Sequence, residues 1–294
     1  MGEFLHALAH HAFILHALLA GLLASVACGV VGTYVVVRRI SYVAGGIAHC
    51  LLAGLGAARY LRVVHGWAWL DPLLGATVAA LLAAGLIAVV SLRARQREDT
   101  VIGAVWAVGM AVGVLFIHLT PGYNEDLLGY LFGNILMVAR RDLWLMGGLD
   151  LVLLVFVGLL FNQLQAVCFD EEQARVRGVA VEGLYLLLLV MTALTVVLLV
   201  SVVGLVMVIA LLTLPAATAG HLTRTMAGMM VVATLLCAGL TTAGLVLSYA
   251  PNLPAGATTI ALAGLVYFLA VGGSRLVQVV RRRAGLSLGT ASRP

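Results

Sequence analysis

The chain is a run of long apolar stretches separated by short polar breaks. A helix needs about 20 apolar residues to cross a bilayer, and only helices or closed barrels satisfy their backbone polar groups there. On that measure Ala12–Val37, Gly46–Leu61, Leu73–Leu92, Thr100–Leu119, Leu143–Phe161, Met226–Tyr249 and Thr258–Gly273 read as helical spans. Leu127–Val138 is too short to cross and reads as a re-entrant or interfacial helix. Leu184–Gly220 is too long for one crossing and leaves almost no loop for two. Gly204 and Pro215 are its available helix breaks, so it is either two minimal spans turning at Gly204 or one span followed by a broken helix buried in protein. The pattern predicts an all-α polytopic membrane protein with eight or nine crossings, forming one transmembrane domain over residues 1–294.

The longest polar interruption runs from Asn162 to Gly183. Asp170, Glu171 and Glu172 lead, Arg175 and Arg177 follow, and Gly178 closes the stretch. Acids first and bases last suit the macrodipole of a short helix ending on a glycine. Such a helix beside a bilayer offers a surface for a soluble partner; the alternative is a solvated connector.

Composition sharpens this picture. At 63% hydrophobic and 10% charged, with a mean hydropathy of +1.13, the chain needs a bilayer to solvate its helix exteriors. The net charge of +5 is carried by arginine alone, because the sequence contains no lysine. The arginines cluster at span edges, at Arg38–Arg39, Arg93–Arg97, Arg275 and Arg281–Arg283, which is the positive-inside pattern and not a nucleic-acid surface. They favour an external N-terminus and an internal C-terminus, which requires nine crossings. Without lysine there is no phosphate-binding G-x-x-x-x-G-K-[ST] loop, so any ATP chemistry belongs to a partner. Cys28, Cys50, Cys168 and Cys237 lack paired spacing and read as packing thiols. The opening, with Glu3 and no basic start, does not read as a cleavable signal peptide.

Five segments then carry a resemblance. VVVRRISYVAGGIAH (Val35–His49), EDLLGYLFGNIL (Glu125–Leu136), FDEEQARVRGV (Phe169–Val179), TALTVVLLVSVVGLVMVIALLTLPAATA (Thr192–Ala219) and NLPAG (Asn252–Gly256) occur in the order found in permease subunits of ABC-type importers for zinc, manganese or iron. The chain resembles the bacterial zinc permeases of that family most. The resemblance implies a homodimeric pathway in the bacterial inner membrane, a cytoplasmic ATP-binding subunit and an extracytoplasmic metal-binding protein. It implies no permanently bound cofactor and no enzymatic activity in this chain. Phe169, Asp170, Glu171, Glu172, Ala174, Arg175, Arg177 and Gly178 would form the contact with the ATPase, and Asn134 and Tyr130 would line the path. Two positions depart from the family: Gly45 stands where an Asp is usual four residues before the matched histidine, and Asn134 replaces a carboxylate found in some zinc permeases.

Candidate ligands are scattered singly, as a path that must release its ion requires. His49 is the first, because imidazole suits zinc and other first-row divalents and a polar group in a Gly/Ala-rich span faces protein or water. Its alternative is a histidine hydrogen-bonded between helices. Asp150 lies well inside a span and needs a partner or a wet face. His6 and His10 share a helix face, near His11 and His16, and form either an entry site or interfacial filler. The expected cargo is zinc, then manganese or iron. An ATP-independent, proton-coupled secondary transporter is the rival reading. An intramembrane metalloenzyme lacks its H-E-x-x-H motif.

Overall fold

A computed structural model describes residues 12–93, 98–121, 133, 137–249, 251 and 253–290. Its helices are α1 (Ala12–Val37), α2 (Ser41–Val64), α3 (Pro72–Arg93), α4 (Glu98–Leu119), α5 (Arg140–Phe169), α6 (Glu171–Val176), α7 (Val181–Val203), α8 (Leu205–Leu222), α9 (Met226–Tyr249) and α10 (Ala255–Thr290). Among the described residues, nine helices are long and apolar enough to cross a membrane; α6 is the exception. The odd count agrees with the arginine placement.

The helices form two groups joined by α7. In one, α2 lies against α3 and α4; in the other, α1 is surrounded by α5, α8 and α9, with α10 outside α8 and α9. α7 touches α1, α2, α3, α5 and α8, and it is buried along most of its length. Without a hydrophobic drive between helices in lipid, close approach depends on small residues. A Cβ added at Gly113 of α4 would stand 2.5 Å from the Leu52 carbonyl carbon of α2, and one at Gly56 would stand 2.8 Å from the Gly113 oxygen.

Several boundaries differ from those the hydropathy pattern predicts, and α10 differs most, running on to Thr290 where the pattern ends the span at Gly273. α2 spans 24 residues, longer than expected: it adds Ser41–Gly45, of which Val43, Ala44 and Gly45 are buried, and the exposed turn Arg62–Val64. α5 continues through Asn162–Cys168 to Phe169, so the first third of the polar interruption is helix. Leu164, Val167 and Cys168 are buried while Asn162 and Gln163 are exposed, an amphipathic continuation past the apolar run.

The long segment breaks at Gly204 only. Gly204 has φ 87° and ψ 156°, a region essentially closed to other residues, and it separates α7 from α8. Pro215, expected as a second break, lies buried inside the continuous α8. Thr213 donates to the carbonyls of Ile209 (2.8 Å) and Ala210 (3.5 Å), and Thr218 to that of Leu214 (2.8 Å). Those hydroxyls bond carbonyls on either side of Leu211, the one whose helical donor the proline removes, and Leu211 is itself buried against neighbouring helices.

Candidate transport site and docking helix

One stripe of α2 faces α4. Tyr42, Gly45, Gly46 and His49 follow the i, i+3, i+4, i+7 spacing of a single helix face. Their counterpart is Trp106 of α4. Its ring lies 4.2 Å from that of His49 at 18°, a stacked pair, and 5.6 Å from that of Tyr42. A Cβ at Gly46 would stand 2.9 Å from Cγ2 of Ile102, the residue one turn before Trp106.

The departure at Gly45 therefore has a structural counterpart. A Cβ there would meet Cζ3 of Trp106 at 3.0 Å, so the indole occupies the room that a larger residue would claim. His49 is half-buried, and its Nδ1 is buried with no hydrogen-bond partner. An interhelical hydrogen bond at that nitrogen is not formed. What remains is an oriented imidazole, braced by an aromatic face and holding an unused nitrogen.

Asp150 has a different neighbourhood. It is 6% exposed on α5, which packs on α1 and α7, and it lies near Cys28 of α1. Its Oδ2 has no partner. Cys28, Cys50, Cys168 and Cys237 are all free thiols. Among the described residues, no three His, Cys, Asp or Glu side chains converge on a metal-holding position. His6, His10, Tyr130 and Asn134 lie outside the described residues. Next to Asn134, Gly133 (φ 65°) is described, and a Cβ on it would meet the backbone of Val203 and Gly204. Gly133 thus lies against the α7–α8 break.

α6 is built as its charges suggest. Asp170 caps it by accepting from the backbone N–H of Gln173 at 2.9 Å, Glu171 and Glu172 occupy the first turn, and Arg175 the last. Gly178 follows with φ 78°. Ala174 is buried against the body, whereas Phe169 (66% exposed) and Val176 (87%) project outward among Glu172, Arg175 and Arg177. Glu171 turns inward and forms an ion pair with Arg38 at the end of α1.

Comparison with known proteins decides what this architecture belongs to. Residues 10–273 match the ABC 3 transport family. The chain belongs to that family. It is 38% identical to the "Probable metal transport system membrane protein" of Chlamydia muridarum over 254 residues, 86% of each chain. It is 30% identical to the manganese transport system membrane protein MntC of Halalkalibacterium halodurans, over 91% of this chain and 89% of that one. PsaBC from Streptococcus pneumoniae, solved in complex with a Fab, superposes with a TM-score of 0.80 at 29% identity, over 92% of this chain and 94% of its own. The chain is an ABC-type metal permease and a multi-pass protein of the bacterial cytoplasmic membrane. Permeases of this family work with an ATP-binding subunit and a substrate-binding protein.

Two residues that pack against the candidate positions do not stand out in the sequence. Trp106 is an aromatic in an apolar run, and only the packing specifies which residue it faces. Arg38 reads there as no more than a marker of the cytoplasmic side. The stripe spacing in α2 is the available signal for the first.

Proposed function

We propose that this chain is the membrane-spanning half of an ATP-driven importer that takes a divalent transition metal, zinc by preference, into the cytoplasm. The observation that carries the reading is the unpartnered Nδ1 of His49 on the glycine-rich face of α2. Imidazole nitrogen suits zinc, whereas manganese prefers carboxylate and carbonyl oxygen, and position 45 supplies no carboxylate. Manganese is the second reading, favoured by the name of the MntC relative. Two copies of the chain would form one pathway, each offering a His49. A metal-binding protein on the outer side would deliver the ion. Asn134 would line the path, as the resemblance implies, and Asp150 would act elsewhere, along the α1–α5 face.

ATP hydrolysis in this scheme lies in a separate cytoplasmic subunit seated on α6. Phe169 and Val176 supply apolar anchors and Glu172, Arg175 and Arg177 a charged rim, the anatomy of a protein interface. Ala174 and Gly178 shape the helix and its end. Glu171 serves from the inside.

The deciding experiment is ATP-driven uptake in proteoliposomes containing this chain, its ATPase and the loaded carrier, with zinc and manganese in competition. His49→Ala is expected to lose uptake while the complex still assembles. Uptake without ATP would replace the reading with a secondary transporter, and uptake indifferent to His49 would remove the site. Manganese carried in preference to zinc would establish the second reading.

A further inference from the structure

Arg38 joins four helices at the cytoplasmic face. It sits at the end of α1, where Nη1 donates to the Val167 carbonyl at 3.1 Å in the last turn of α5. That carbonyl is one of the four that a helix end leaves without an intrahelical partner. Nη2 pairs with Oε1 of Glu171 in the first turn of α6, and the guanidinium carbon lies 5.4 Å above the Tyr185 ring of α7. The two charged side chains are only 21% and 36% exposed, so this is a half-buried bracket and not a solvated pair. Marking the cytoplasmic side does not require it, since exposed Arg39 stands next in the chain.

The connection onward is short. Arg39 takes φ 62°, the Ile40 N–H bonds back to the Val35 carbonyl at 2.9 Å, and α2 begins at Ser41. His49 lies on that helix. A displacement of α6 therefore acts on Glu171, through Arg38 on the end of α1, and through a tight turn on α2.

We propose that Arg38 is a positioning residue that transmits movement of the docking helix to the α1–α2 hairpin carrying His49. The proposal rests on the reading of α6 as the ATPase seat. Its signature is the metal moved per ATP hydrolysed, a ratio that a residue needed only for folding would leave intact in any assembled complex.

The test measures uptake and hydrolysis together in proteoliposomes containing the complete complex. Arg38→Gln is expected to assemble and to keep basal hydrolysis, while metal moved per ATP falls about tenfold, the scale of one lost charge-assisted hydrogen bond. The exchange Arg38→Glu with Glu171→Arg is expected to restore more of the ratio than either single change leaves, because the two residues act as one unit. A wild-type ratio in Arg38→Gln overturns the proposal, as do single effects that simply multiply in the exchange. Should Arg38→Gln fail to insert, Glu171→Gln removes one contact of the bracket: a lowered ratio there supports the proposal and an unchanged one overturns it. Uptake by the wild-type complex that needs no ATP would instead overturn the functional reading, and this proposal with it.

Discussion

Four buried polar atoms among the described residues lack a partner: Tyr34 Oη, His49 Nδ1, Asp150 Oδ2 and Thr195 Oγ1. Their meanings differ with their chemistry. A hydroxyl can rotate and give little away, but an imidazole nitrogen held against Trp106 is fixed in place without a partner. Asp150 is the most expensive of the four, since a buried carboxyl oxygen without a donor carries its full desolvation penalty. Exchanging such a group for an apolar one of similar size is close to neutral or stabilising. Asp150→Val is therefore expected to melt at or above the wild-type temperature in detergent. A clear fall in thermal stability would show that Oδ2 has a partner in the working protein. Both residues are unusual in the sequence, because a polar side chain in an apolar run is visible by itself. The sequence does not separate them, because only the helix packing sets His49 against α4 and Asp150 against α1.

At the scale of elements, Gly204 does what two residues were expected to share. Its φ of 87° and ψ of 156° admit only glycine without strain, and the backbone at Val203–Gly204 is where Gly133 comes closest. Gly204→Ala is expected to cost about 1–3 kcal/mol, read as a lowered melting temperature with unchanged helix content by circular dichroism. An unaltered melt would mean that the α7–α8 turn is not held in this conformation. Pro215 is a misleading signal because proline breaks helices in water, where nothing nearby replaces the lost bond. Inside α8 it is buried among helices, and threonine hydroxyls cover neighbouring carbonyls. Asn162–Cys168 misleads for a related reason. Its polarity suggests an irregular connector, but one face of that turn is polar and the other packs. The short helix α6 is legible from its leading acids, Arg175 and Gly178, which are local signals, while the structure adds that Asp170 caps it.

For the whole molecule, the Arg38–Glu171 ion pair sets the end of α1 and α6 at the same membrane face. The Trp67–Trp69 turn, with rings stacked 6.0 Å apart, is one crossing away at the end of α2 and belongs to the opposite face. Three native thiols are buried and Cys50 is half-buried, so labelling background is low. Trp69→Cys is expected to react with a membrane-impermeant thiol reagent added outside intact cells, and Gln173→Cys only after the membrane is opened. Labelling of both from one side would break the nine-crossing arrangement.

The amino-acid sequence by itself determined the class, most of the spans, a preference for nine crossings and the short helix α6. Each depends on residues close together in the chain: about 20 apolar positions per crossing, arginines at edges, leading acids and a closing glycine. The tertiary structure alone decided which helix covers His49, that an indole fills the space beside Gly45, and that Glu171 looks inward to Arg38. Those pairings join residues far apart in the chain, and in lipid they are chosen by close packing of small residues and by the few polar groups that find one another. A hydropathy pattern carries no record of that choice.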